Sequence, residues 1–137
     1  MSSWRLYPAA CALFLGCGAA NAGAGAAAVG DISFARDIAP VLQNRCATCH
    51  LTGQEAGNMA LHSDGTYASV VNVPSIESKL LRVKPGFPKQ SYLMLKLEGK
   101  HLDAGGSGQR MPLAQSPLDE ATLGKLRDWI TAGAVNN

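Results

Sequence analysis

The segment NRCATCHLTG places Cys46 and Cys49 three positions apart, with His50 directly after the second cysteine. On a helical turn, residues three apart lie on the same face, so both thiols can point the same way. A zinc site would need a second pair of ligands at metal spacing, and the other histidines, His62 and His101, have no cysteine near them. A thioredoxin-like pair would lie in a βαβ pattern, and a plain disulfide would leave His50 without a role.

The N-terminus provides a second observation. The residues MSSWRLYPAACALFLGCGAANAG combine a positively charged start, an apolar run and the sequence ANA at 20–22. These features are typical of a secretory signal peptide with an A-x-A cleavage site, so we expect residues 1–22 to be removed. A transmembrane anchor is one alternative, although the apolar run is shorter than the roughly 20 residues that span a bilayer. Lipoprotein processing at Cys17, in the sequence FLGC, is another.

Cleavage would change the cysteine count. Cys11 and Cys17 leave with the signal peptide, so that Cys46 and Cys49 are the two cysteines of the exported chain. C-x-x-C-H is the attachment signature of c-type haem, in which two thiols bond one edge of the porphyrin and the histidine faces the iron. Haem c is attached outside the cytoplasm, where this signal would send the chain. We therefore predict one covalent haem c on Cys46 and Cys49, with His50 as the proximal iron ligand.

A helix is expected to position the motif. The sequence SFARDIAPVLQNRCATC has an apolar face at helical spacing, with Ser33 as a plausible N-cap. The face consists of Phe34, Ile38, Val41 and Leu42. Pro40 either kinks this helix or stands in the first turn of a second one, where its missing N–H costs nothing. In both cases a helical segment leads into the cysteines.

The sequence SPLDEATLGKLRDWITAGA predicts the clearest helix, with Ser116 as N-cap, Pro117 at its first position and Gly133 at its end. Its buried stripe is expected to contain Leu118, Ala121, Thr122, Leu123, Leu126, Trp129 and Ile130. A shorter helix, SYLMLKLEG, is expected after Ser91 as N-cap. No alternating run is long enough for a sheet, so the predicted class is all-α, with three or four helices and long loops around one covalent haem. So small a domain would need the cofactor to complete its core.

Four segments, FARDIAPVLQNRCATCH, RVKPGFPKQSYLMLKL, RMPL and LRDWITAGA, resemble in this order the bacterial cytochrome c domains of the planctomycete-type group. These are monohaem, class I-like cytochromes c. The resemblance covers about residues 33–134, after a flexible leader at 23–32, and implies the cytochrome c fold. It also implies a contact between Phe34 and Trp129 where the first and last helices cross. Leu51 departs from the pattern, since many cytochromes have glycine after the histidine.

The resemblance makes Met111 the sixth iron ligand. The residues agree, because Met111 lies in the glycine-rich sequence AGGSGQRMPL, which can bring the backbone close to a porphyrin. The alternatives are an open site or one of four other side chains, Met59, Met94, His62 and His101. Both of these histidines are expected to be solvated loop residues. The haem pocket, or the core behind it, is expected to contain Tyr67, Tyr92, Leu93 and Leu97.

Iron held by histidine and methionine exchanges one electron with little rearrangement. The expected function is a periplasmic one-electron carrier or an electron-transfer subunit, and not an enzyme. The alternative is a haem c enzyme or gas-ligand sensor whose sixth position is open or labile. If Cys17 carried a lipid, the protein would instead be anchored to the membrane, facing the periplasm.

Charge indicates the kind of partner. Removal of Arg5 lowers the basic side chains from 12 to 11, against 10 acidic ones, and two haem propionates would bring the total to about −1, which argues against nucleic acid. A basic stretch could still dock an acidic redox partner. The stretch contains Lys79, Arg82, Lys84, Lys89, Lys96 and Lys100. A merely solvated face is the alternative.

Overall fold

The computed structural model describes Met1 and residues 32–62 and 64–137. The predicted signal peptide, with Cys11 and Cys17, lies outside the described residues except for Met1, and so does the predicted leader except for Ile32. Over the described ranges the chain is helical and forms no strand, and it has only two isolated β-bridges. This agrees with the predicted all-α class. No helix in these ranges is both long enough and apolar enough to cross a membrane.

Four α-helices make up the framework. They are α1 (Ala39–Cys46), α2 (Thr66–Val70), α3 (Tyr92–Glu98) and α4 (Glu120–Thr131). A π-helical turn, Phe34–Ile38, leads directly into α1, and Ser33 caps it by accepting the Arg36 N–H at 3.3 Å. Pro40 stands in the first turn of α1, so the second of the two alternatives for Pro40 is confirmed. A 3₁₀ turn, Pro88–Gln90, precedes α3.

Aromatic side chains join the first turn to the last helix. The ring centroids of Phe34 and Trp129 are 5.4 Å apart, and Tyr67 meets Phe34 edge-on at 5.1 Å. The Trp129 indole donates to the Val135 carbonyl at 3.0 Å, and the Tyr67 hydroxyl donates to the Ala134 carbonyl at 2.8 Å. The implied contact of Phe34 with Trp129 is therefore confirmed, and Tyr67 belongs to this part of the core.

The C-terminal residues close the same region. The main-chain oxygen of Asn137 accepts hydrogen bonds from the Ser33 hydroxyl at 2.7 Å and the Ala35 amide at 3.0 Å. Its side-chain oxygen accepts the Phe34 amide at 2.8 Å. The packed part of the chain thus reaches Asn137, three residues past the boundary predicted at 134.

The start of α4 differs from the prediction. Asp119 is extended, with φ −68° and ψ 161°, and its carboxylate accepts the Thr122 N–H at 2.7 Å. The expectation of Ser116 as N-cap with Pro117 at the first helical position is therefore wrong. The Ser116 carbonyl instead accepts a hydrogen bond from Arg45 at 2.9 Å, which holds this segment against α1 before the helix begins.

The apolar stripe of α4 is mostly as predicted. Leu123, Leu126, Trp129 and Ile130 are buried, but Ala121 is exposed because at about 3.6 residues per turn it lies on the side of the helix opposite Leu123 and Ile130. Gly133, with φ 101°, follows the helix end in the left-handed conformation that commonly terminates helices, so its predicted role is confirmed.

Local sequence explains α3 better than α2. Helix α3 begins after Ser91 and ends at Gly99, whose φ is 74°, but the Ser91 hydroxyl does not cap the helix. That hydroxyl accepts the Lys84 N–H at 2.9 Å and donates to the Phe87 carbonyl at 3.0 Å. Helix α2 was not predicted, because its residues TYASV include several with low helix propensity.

Candidate functional site

Two adjoining cavities form a central cleft. They share the lining residues His50, Ala56, Met59, Leu93 and Met111. We name one the cysteine cavity, which is also lined by Cys46 and Cys49, and the other the charged cavity, which is also lined by Glu77, Arg82, Tyr92 and Lys96. The four residues predicted to hold a haem therefore meet at one cavity, although Met111 is distant in sequence from the cysteine motif.

Helix α1 delivers the cysteine motif to the cleft. Cys46 is its last residue, and the chain continues as a helical turn in which the Cys46 carbonyl accepts the amides of Cys49 at 3.1 Å and His50 at 3.0 Å. Both cysteines are free among the described residues, with Cys46 partly buried and Cys49 exposed. The turn places both side chains on the wall of the same cavity, which is the arrangement that the spacing predicts.

The ionisation of Cys46 bears on the alternative of a redox pair. Burial raises the pKa of its thiol to about 11, and neighbouring Arg45 offsets this only in part. Reactive cysteines of thiol–disulfide enzymes have a lowered pKa, because the thiolate is the nucleophile. Cys46 is therefore protonated at neutral pH and poorly suited to that chemistry.

His50 lies inside the cleft and is 8% exposed. Its Nδ1 is buried and has no hydrogen-bond partner in the described part of the chain, whereas Nε2 is not among the fully buried atoms. A metal-bound histidine usually donates its second ring N–H to an acceptor, so this site departs from that pattern. The backbone of Gly57, at φ 84°, lies beside the ring: a Cβ there would be 3.6 Å from His50 Cε1. Packing sets the orientation of this imidazole.

Met111 and Met59 both line the two cavities. The Met111 amide donates to the Lys96 carbonyl at 3.0 Å, which fixes its backbone to α3. Met94 is 2% exposed and packs in the core, where it borders a separate cavity with Lys89. The structure therefore leaves Met111 and Met59 as the methionines that border the same space as His50.

The other two histidines lie elsewhere. His62 is exposed, as expected, and neither His62 nor His101 lines the central cleft within the described ranges. The expectation that His101 is solvated is wrong. Its side chain is 3% exposed, and its Nε2 lies 2.9 Å from the Gly108 carbonyl, because the loop after α3 folds back over it.

Arg82 is a buried cation at the wall of the charged cavity, with 7% of its surface exposed. Its guanidinium donates to the carbonyls of Ser69 at 2.6 Å, Gly57 at 2.8 Å and Asn58 at 3.1 Å. Burial lowers its pKa, but a guanidinium stays protonated in proteins. It forms no salt bridge to any described carboxylate. The cavity thus borders a positive charge without a counter-ion.

Lys96 is also buried, at 6% exposure. Its ammonium lies 2.8 Å from the Glu77 carboxylate and 2.8 Å from the Ser107 carbonyl. Because Arg82 and Lys96 are both buried, the basic stretch is not one exposed patch. The predicted docking surface is therefore limited to the exposed members of this stretch. Its exposed members are Lys79, Lys89 and Lys100.

These residues fit a covalent porphyrin in three respects. Cys46 and Cys49 line the same cavity, and His50, which has an accessible ring nitrogen, follows them in the sequence. The buried cation Arg82 lines the adjoining cavity, where a carboxylate of the bound group would neutralise its charge. The remaining lining of the cysteine cavity is largely apolar and includes Leu42, Leu61, Val70, Leu93 and Leu97. In the described ranges no group of three or more His, Cys, Asp or Glu residues is arranged to hold a metal ion.

The chain was compared with protein-family models, curated proteins and solved structures, and none of them matches it. Function therefore has to be argued from the site itself.

Proposed function

We propose that this protein is a periplasmic c-type cytochrome that carries one electron at a time, either alone or as an electron-transfer subunit. One haem c would be bonded to Cys46 and Cys49, with His50 and Met111 as axial ligands in a cytochrome c fold. The observation that carries this proposal is the convergence of all four side chains on one cavity.

The chain's own residues have distinct roles in this proposal. When bound, the haem supplies an iron that takes up and releases one electron. The two cysteines would hold the group covalently, while His50 and Met111 would both bind its iron and leave no position for a substrate. The apolar lining of the cysteine cavity excludes water, which together with the thioether sulfur favours the reduced state. Arg82, which forms no salt bridge in the described chain, would offset negative charge of the haem propionates, whereas Lys96 is already paired with Glu77.

The test is to express the full chain in a bacterium that attaches haem c in its periplasm. The purified protein should be red, and acidified organic solvent should not remove the pigment. Its mass should equal the chain from residue 23 onward plus one haem, whereas the mass of a lipid-bearing chain that begins at Cys17 would indicate lipoprotein processing. The double substitution Cys46→Ser, Cys49→Ser is the control and should yield no covalent pigment. A colourless wild-type protein, or one whose pigment is extracted, would refute the proposal.

The second candidate is a haem c enzyme or gas-ligand sensor with a labile sixth position. The feature in its favour is the loop before Met111, where Gly105 and Gly108 adopt left-handed conformations with φ 72° and 76°. Such a loop could let the methionine leave the iron. A high-spin ferric spectrum of the wild-type protein would favour this candidate, since a histidine–methionine pair leaves no position open.

Redox partners are proposed to dock at the exposed part of the basic stretch, Lys79, Lys89 and Lys100. Small reagents of known charge can test this. Oxidation of the reduced protein by anionic hexacyanoferrate(III) should slow as ionic strength rises, because salt screens the attraction. Substitution of all three lysines by glutamine should flatten this dependence, with Lys125→Gln on α4 as the matched control. A rate that does not respond to salt would rule out steering by this surface.

A further inference from the structure

We propose that His101 is a positioning residue for Met111: its side chain closes the loop that presents the methionine to the central cleft. The inference rests on the proposed function, in which Met111 is an iron ligand.

His101 holds the loop at two points. Its Nε2 lies 2.9 Å from the Gly108 carbonyl, and because a carbonyl can only accept, Nε2 carries the proton. Its own main-chain carbonyl accepts the Gly106 amide at 2.9 Å. Nδ1 is buried and has no partner in the described ranges, so the ring is engaged through Nε2 alone. The side chain is 3% exposed, too buried for a solvated loop histidine.

Side chains of helix α3 form hydrogen bonds to the same loop beside His101. The Lys96 ammonium donates to the Ser107 carbonyl at 2.8 Å, and the Tyr92 hydroxyl accepts the Ser107 amide at 3.2 Å. A Cβ at Gly106 would lie 2.5 Å from the Tyr92 ring and hydroxyl, so the loop approaches this helix as closely as a glycine allows. The Tyr92 ring in turn meets the His101 ring edge-on, with centroids 6.5 Å apart.

Met111 follows this anchored loop after two residues. Its amide is held by the Lys96 carbonyl, so the segment 109–110 is tied at one end to His101 through Gly108 and at the other to α3. Loss of the hydrogen bond to Gly108 would loosen the first end, which would then be held only through Ser107. Gly108, at φ 76°, would then lack the contact that limits its conformational freedom. The methionine sulfur would consequently spend more time away from its place in the cleft.

The test uses the full chain matured with haem, in the ferric state. Free imidazole can bind the iron only by displacing the methionine, so its apparent Kd reports how firmly Met111 is held. His101→Leu and His101→Asn both remove the Nε2 donor and should tighten imidazole binding about five- to tenfold, the effect of one net hydrogen bond. His101→Gln keeps an N–H at a similar reach and should stay within about twofold of the wild type. His62→Leu, at the exposed histidine, is the control and should have no effect.

A double-mutant cycle separates positioning from general loosening of the fold. In a Met111→Ala background imidazole has no sulfur to displace, so the His101 substitutions should no longer change its affinity. An equal effect in both backgrounds, or none in the wild-type background, would overturn the inference. A wild-type ferric spectrum without methionine ligation would instead refute the proposed function, and this inference with it. The two failures are therefore distinguishable.

Discussion

Substitution of Met111 by alanine should lower the midpoint potential of the proposed haem c protein by an amount on the order of 0.1 V, within the ~0.8 V range that axial ligands set. The reason is that thioether sulfur stabilises reduced iron relative to oxidised iron, and alanine supplies no ligand. The weak band near the red end of the ferric spectrum, which marks the bond between methionine and iron, should disappear. A redox titration followed by absorbance measures both effects.

Two other methionines provide matched controls for Met111. Met94→Leu should leave the band and the potential unchanged, because Met94 is buried in the core, and this volume-conserving change typically costs less than about 1.5 kcal/mol of stability. Met59→Leu is the sharper comparison, because Met59 lines both cavities with Met111. If Met59→Leu removed the band and Met111→Ala kept it, Met59 would be the ligand and the assignment of Met111 would be wrong.

Substitution of Arg82 by methionine should lower the free energy of unfolding of the matured protein by about 2–4 kcal/mol. The guanidinium satisfies three carbonyls, those of Gly57 and Asn58 in the loop after His50 and that of Ser69 in α2. Methionine fills a similar volume but donates no hydrogen bond, so these carbonyls would lose their partner. Urea unfolding followed by far-ultraviolet circular dichroism measures the change.

Two variants separate the contributions of Arg82. Arg82→Lys keeps the charge but cannot reproduce the planar arrangement of donors, so its stability should lie between those of the wild type and Arg82→Met. Lys79→Met removes an exposed cation from the same basic stretch and should change stability by less than about 0.5 kcal/mol. An Arg82→Met protein that unfolds at the wild-type urea concentration would show that the buried guanidinium is not important for stability.

Local signals in the sequence predicted several elements because their causes are local. Ser33 caps its own turn, Pro40 lies in the first turn of α1, where its missing N–H costs nothing, and Gly133 ends α4 in a conformation that glycine adopts easily. The start of α4, where Asp119 and not the predicted Ser116 is the N-cap, has a cause that is not local. Both are good capping residues, and the contact of Arg45 with the Ser116 carbonyl belongs to the tertiary fold.

The features of the candidate site also fall into those that the sequence predicts and those that depend on the tertiary fold. The cysteine motif could be read directly, since its spacing and the turn that carries it are contiguous. The burial of Arg82 and Lys96 could not, because their partners are main-chain carbonyls and a carboxylate from distant segments. The position of His101 was missed for the same reason: a histidine in a glycine-rich loop gives no sign that the loop folds back over it.

Lys96 acts through two chemically separate groups. Its ammonium binds Glu77 and Ser107, while its peptide carbonyl holds the Met111 amide. A scan of side-chain replacements can remove only the first of these, because every amino acid keeps the carbonyl. Substitution of Lys96 by alanine would therefore report only the role of its side chain. The role of its carbonyl would be revealed only by a change in the main chain itself, such as an ester in place of the amide at Met111.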